Sequence, residues 1–253
     1  MSFRHLLRWG LPAGLLCLIA VPILKRSFAP SPPSTPSTPS ADRATVESRV
    51  AEFGPVVAER LRADFAAAGV PYPPARLVFA AFKEERRLEL HAARDAGEPL
   101  RFIRAYPVQG ASGRLGPKLR EGDRQVPEGL YRLEYLNPNS RYHLSMKLDY
   151  PNAFDRERAW EEGRDQPGSD IMIHGKAVSI GCLAMGDEAA EDLFVLAALT
   201  GIGNVDVIVS PVDFRTRALP AQMPPTPEWT PALYARLREA LRALPLPRKQ
   251  GLE

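Results

Sequence analysis

Ile171-Met172-Ile173-His174-Gly175-Lys176-Ala177-Val178-Ser179-Ile180-Gly181-Cys182 is an apolar run that ends in a histidine, followed by a glycine-flanked loop that ends in a thiol. The apolar residues predict a short strand over Asp170 to His174, and Gly175 and Gly181 permit the chain to fold back tightly. Cys182 is one of two cysteines, and the other, Cys17, lies in an N-terminal apolar stretch, so Cys182 has no intramolecular disulfide partner. A thiol with an ordinary pKa of about 8.5 is only a few per cent thiolate at neutral pH, so a nucleophilic cysteine needs a base or a positive field beside it. His174, eight residues upstream, is the candidate base. Its second ring nitrogen then needs an acceptor, and with no acid in the loop a backbone carbonyl such as that of Gly175 serves. Backbone N–H groups at Gly181 and Cys182 are candidate oxyanion donors, and Ser179 would orient the loop or reach the substrate. The competing reading is a small apolar cysteine packed in a turn.

Working toward the N-terminus, Arg4 and Arg8 precede an apolar run from about Trp9 to Leu24, and Lys25-Arg26 follow it. That layout predicts a signal anchor or signal peptide over residues 1–29, hence an exported protein in the periplasm or cell envelope, held at the inner membrane. Residues 30–40 are a Pro/Ser/Thr spacer expected to be extended. Residues 1–26 hold four Lys/Arg and no acid, so the remainder nets +3 − 4 = −1, and nothing electrostatic argues for nucleic acid.

Residues 41–74 form a helical N-terminal extension in which Val46, Val50, Phe53, Val57, Leu61 and Phe65 make one stripe, with Gly54-Pro55 a kink or break and Gly69 a stop. From Arg76 the pattern turns to short β-rich runs: Leu77 to Phe82, Leu88 to His91, Leu100 to Val108, Gly129 to Tyr135, Tyr142 to Leu148, Asp170 to His174 and Val205 to Val209. Gly113-Arg114-Leu115-Gly116-Pro117 and Asn137-Pro138-Asn139 are expected to be turns between them. A helix should start at Asp187 as N-cap, bury Leu193, Phe194 and Ala197, and end near Gly201. The C-terminal segment, 216–253, carries a second helix signal with Thr230 as N-cap, Pro231 and then Leu233, Leu237, Leu241 and Leu244, flanked by prolines that suggest a loosely attached appendage. The expected fold is mainly β. The four histidines (His5, His91, His143, His174) are scattered and no CxxC or HExxH occurs, so no metal is expected.

The segment His174 to Met185 resembles the active-site signature of the L,D-transpeptidase catalytic (YkuD-type) domain family, in the murein-acting branch where an isoleucine precedes Gly-Cys. Gly116 to Asp123, Val126 to Gly129, Ser140 to Ser145 and Tyr150 to Arg156 are similar to that branch in the same order. The resemblance implies a β-sandwich catalytic domain over 75–215, with Cys182 as nucleophile, His174 as base and Gly181 in the oxyanion region. It implies attack on the L-centre carbonyl of the diamino acid of a peptidoglycan stem peptide, with a cysteine thioester and no cofactor. Ser179, Gly175, His143, Asp123 and Arg156 become candidate substrate-binding residues, and a wall-linked lipoprotein becomes a candidate partner. Many members of the wider family have a histidine and an arginine where this chain has Ile180 and Ala184, so donor preference does not carry over. With water as acceptor the same chemistry is a cysteine amidase, and a third reading is a non-catalytic wall-binding domain. His91 reads as structural. Trp160 and the Arg156 to Arg164 stretch read as an ordinary solvated loop rather than a glycan surface.

Overall fold

In the computed structural model, which describes residues 43–247, β1 (Arg76–Phe82) is buried at every position after Arg76. A strand with no polar face must be covered on both sides. Its alternation divides it between two cores: Leu77, Phe79 and Ala81 face one, Val78, Ala80 and Phe82 the other. The first core is closed by α1 (Val46–Ala68) and α3 (Asp187–Thr200), the second by α4 (Thr230–Arg242). The remaining strands are β2 (Arg87–Ala93), β3 (Arg101–Pro107), β4 (Gly110–Ala111), β5 (Gly129–Ser140), β6 (His143–Leu148), β7 (Met172–His174), β8 (Leu183–Ala184) and β9 (Val205–Ser210), with α2 (Ala153–Glu161) after β6. They join in one curled sheet of order β3-β2-β1-β9-β5-β6-β7-β8-β4. Pairing is antiparallel except for β1 with β9 and β7 with β8. The mainly β architecture with flanking helices agrees with the sequence reading.

Four expectations need correction. α1 runs unbroken through Gly54-Pro55. Pro55 and Ala51, whose carbonyl loses its helical partner, are both exposed, so the freed acceptor is on the solvent side while Val57, Leu61 and Phe65 keep the buried stripe continuous. Asn137-Pro138-Asn139 is not the turn but the end of β5. Asn139 instead clasps the start of α1, accepting from Ala44 N at 3.0 Å and donating to Ala44 O at 2.7 Å. The expected Arg156 to Arg164 loop is largely helix, since its first six residues belong to α2, which is started by a capping box in which Asn152 and Asp155 satisfy each other's backbone N–H. The C-terminal helix is no loose appendage: Leu233, Leu237, Leu241 and Leu244 are all buried on the sheet.

The caps shift by one residue as well. Gly186 rather than Asp187 precedes α3, and Trp229 rather than Thr230 precedes α4. The signal anchor, the spacer and Cys17 lie outside the described residues. Among the described residues no helix is long and apolar enough to cross a membrane.

Candidate active site

β7 lies between β6 and β8, with His174 opposite Ser145 on one side and Ala184 on the other. Ile173 and Leu183, also register partners, point into the core. Alternation along the extended chain places Cys182, two residues before Ala184, on the side shared by Ala184 and His174. The loop between the strands turns on Gly181, whose φ of +105° disfavours any side chain. Gly175 is required for a different reason: a Cβ there would stand 2.6 Å from Tyr142 O and from Asp187 Oδ1.

His174 is almost fully buried, and its Nδ1 lies 2.6 Å from Gly175 O. A carbonyl only accepts, so Nδ1 carries the proton and Nε2 keeps its lone pair. Among the described residues Nε2 has no hydrogen-bond partner. Burial pushes the imidazole below its ordinary pKa, against the Gly175 bond, which favours neutral His174 at neutral pH. The Tyr142 ring lies over it, centroids 4.7 Å apart. Cys182 is half-buried, and its Sγ donates to Asp170 O at 3.8 Å. Burial pushes the thiol up; the Met172 N–H pulls it down, the Asp170 charge raises it and Lys118 lowers it. The resting pair is therefore thiol and neutral imidazole.

Both candidate oxyanion donors are already engaged. Cys182 N donates to Ser179 Oγ at 3.0 Å, and the same hydroxyl donates to Cys182 O at 2.6 Å. Gly181 N donates to Ser112 Oγ at 2.6 Å, and Ser112 donates onward to Arg124 O at 2.8 Å. Ser112 is absent from the sequence-based candidates because its partner is 69 residues away and no local pattern marks it. Ser112→Ala leaves the Gly181 N–H without its acceptor. The expected cost is about 1–3 kcal/mol in denaturant unfolding and a roughly tenfold slower alkylation of Cys182 as the loop loosens; unchanged values for both would show that the bond carries nothing.

The other candidates are placed less directly. His143 Nε2 pairs with Glu191 Oε1 at 2.9 Å, and Glu191 also meets Arg60 of α1. This histidine holds β6 to α3 and α1 beside Gly175. Asp123 accepts from Lys118 Nζ and from the N–H groups of Leu119, Arg120 and Gln125. Its carboxyl sits below the usual range because these bonds outweigh the upward push of burial. Arg156 is exposed and its guanidinium turns back to Pro151 O. His91 is buried with Nε2 3.0 Å from Glu89 Oε2, a structural placement. A cavity of about 580 Å³ opens between the 113–125 loop and Pro225 to Pro227, and neither Cys182 nor His174 lines it. The surface around the thiol is instead apolar and open, with Val178 64%, Ile180 67% and Tyr142 43% exposed.

Residues 84–209 match the L,D-transpeptidase catalytic domain (YkuD) family. The chain thus carries a catalytic domain of the L,D-transpeptidase family. Over 138 residues it is 41% identical to the Escherichia coli K12 protein YafK, whose own assignment as an L,D-transpeptidase is provisional; the match spans 53% of this chain and 52% of YafK. The chain therefore spans about half the length of the curated relatives it matches. Among solved structures, the helical cell shape determining protein Pgp2 of Campylobacter jejuni is 21% identical with a TM-score of 0.44, over 58% of this chain and 50% of that one. L,D-transpeptidase 1 of Mycobacterium tuberculosis is 14% identical with a TM-score of 0.31, over 53% and 62%.

Proposed function

We propose that this chain is a cell-envelope cysteine acyltransferase acting on peptidoglycan stem peptides. The observation that carries the reading is the His174 Nδ1 to Gly175 O bond, which leaves the Nε2 lone pair free on a strand whose register partner, Ala184, lies two residues after Cys182. Nε2 takes the thiol proton as Sγ attacks the L-centre carbonyl carbon of the diamino acid. The C–N bond to the terminal D-residue breaks, and His174 returns the proton to the departing amine, leaving a thioester. An acceptor amine then attacks the acyl carbon, sulfur leaves, and the amine's proton passes through His174 back to sulfur. For Gly181 and Cys182 N–H to receive the oxyanion, the hydroxyls of Ser112 and Ser179 must turn aside as substrate enters. Ser179, Gly175 and Asp123 act on the substrate through loop position, since the Ser179 hydroxyl and the Asp123 carboxylate are committed to the protein, whereas His143, whose Nε2 is held by Glu191, and the exposed Arg156 border the substrate path. No cofactor takes part. The N-terminal segment would hold the domain at the membrane, and a wall-linked lipoprotein is a further partner of this reading.

With water in place of the acceptor amine, the same thioester gives hydrolysis. Ala184 is fully buried and packs against Gly110, so its position has no room for a longer side chain that could grip the donor's carboxylate, and donor preference is set by other residues. Incubation with disaccharide-tetrapeptide, with and without a D-amino acid, separates the readings by product mass: cross-linked dimer or exchanged residue for transfer, tripeptide for hydrolysis. No acyl chemistry on any of these donors would leave the domain a wall-binding module.

The directions of the two pKa shifts set a pH profile. Cys182 lies above its ordinary value and His174 below its own. Alkylation of Cys182 by iodoacetamide should rise continuously from pH 6 through about pH 9, without the neutral plateau of a preformed thiolate–imidazolium pair. A plateau near pH 7 would sink the neutral-pair assignment.

A further inference from the structure

Lys118 is nearly buried, a position an ammonium reaches only with partners. Its Nζ donates to Asp123 Oδ1 at 2.5 Å and to Arg120 O at 2.8 Å. An ammonium has three protons, so one remains uncommitted among the described residues. The side chain packs against Gly168, where φ is +112° and an added Cβ would lie 2.5 Å from Lys118 Cε and 3.1 Å from Nζ. Two residues on, Asp170 O receives the Cys182 thiol. The Lys118 loop and this segment are locked together: Tyr150 Oη donates to Pro167 O at 2.7 Å, Glu121 N to Gln166 O at 3.0 Å, and Arg164 Nη1 to Leu119 O at 2.6 Å. A buried positive charge is thus held in the wall against which the sulfur rests.

We propose that Lys118 is an electrostatic positioning residue that stabilises the thiolate of Cys182 as it forms, and that Asp123 limits this effect by neutralising part of the ammonium charge. The inference rests on Cys182 as nucleophile and deepens that reading, yet it requires no particular substrate. Charge acts on the sulfur from other elements too. Asp170 opposes the thiolate and is itself met by Lys147 at 3.4 Å, His174 is neutral, and Glu121 and Arg164 border Lys118. Lys118 is the cation that lowers the thiol against its burial. Lys118 lies 64 residues upstream of Cys182 in the chain.

The test is the pH dependence of iodoacetamide alkylation of the detergent-solubilised full chain, followed at the Cys182 peptide by mass spectrometry so that Cys17 does not interfere. Lys118→Met should raise the apparent thiol pKa by about one unit and slow alkylation at pH 7.5 roughly three- to tenfold, the lower end reflecting the greater nucleophilicity of a more basic thiolate. Lys118→Arg should stay near the natural protein. Asp123→Asn, which frees the ammonium charge, should shift the pKa the opposite way. A loop-structural role would move Lys118→Met and Asp123→Asn in the same direction together with the melting temperature, and that result, or an unshifted Lys118→Met profile in a folded protein, overturns the proposal. If Lys118→Met does not fold, a downward shift in Asp123→Asn still supports it and an unshifted or upward one rejects it. Because alkylation involves no stem peptide, a failed acyl-transfer assay leaves this result intact.

Discussion

Cys182→Ala gains no mass on incubation with disaccharide-tetrapeptide and shows no turnover, whereas the natural chain acquires an acyl adduct whose mass identifies the donor. The expected loss is on the order of 10⁵-fold or more, since removal of an activated nucleophile leaves only binding and oxyanion contacts. The substitution is clean on structural grounds. Both hydrogen bonds that hold residue 182, its N–H to Ser179 Oγ and its carbonyl from the same hydroxyl, belong to the backbone and survive in alanine. The thiol's weak bond to Asp170 O, at 3.8 Å, and its interaction with the Met172 N–H are lost. Inactivity in the variant therefore reports chemistry rather than loop collapse, which an unchanged melting temperature would verify. An adduct of equal mass on Cys182→Ala would move the nucleophile elsewhere and remove the basis for the acyltransferase reading.

The parts of this site that sequence reveals are those made within a few residues. His174 at a strand end, the Gly175 carbonyl as its acceptor and the Gly181 turn are all local, so composition and spacing suffice for them. α3 and the stripe of α1 are equally legible, since burial at helical spacing needs only a core to face. What escapes is set by partners far away in the chain. Ser112 matters through Gly181, Asn139 through Ala44 and Lys118 through Gly168, none of which leaves a periodic trace. β4 and β8, with two residues each, are too short to alternate visibly and are defined by their pairing, β4 with β8 and β8 also with β7. α2 has few apolar residues and is set by its Asn152 to Asp155 capping box. Prolines around α4 suggest a loosely attached appendage, yet Leu233, Leu237 and Leu241 cover the second face of β1, a face visible only once every position of that strand after Arg76 is known to be buried.

That second face also carries the largest expected stability effect. Glu128 Oε1 meets Lys83 Nζ at 3.0 Å and accepts from Gly116 N at 2.7 Å, and Oε2 accepts from Tyr234 of α4 at 2.8 Å. Lys83 also donates to the carbonyls of Gly116 and Val126. Burial pushes the lysine below its ordinary pKa while Glu128 opposes that push, so the carboxylate is what keeps the ammonium charged in the interior. Glu128→Leu strands that charge together with the Gly116 N–H and the Tyr234 hydroxyl. Breaking one side of a buried pair costs about 3–5 kcal/mol, equivalent to a fall of roughly 10 °C in melting temperature for a domain of this size. Lys83→Met with Glu128→Leu should recover much of the loss, because two apolar residues no longer oppose burial. Denaturant unfolding of the two single variants and the double variant measures the coupling. Additive losses would mean that the pair acts as two independent packing residues. A strong coupling would mean that Lys83 and Glu128 act as one buried pair, and Glu128 is also the group on which Tyr234 of α4 and Gly116 of the loop bearing Lys118 converge.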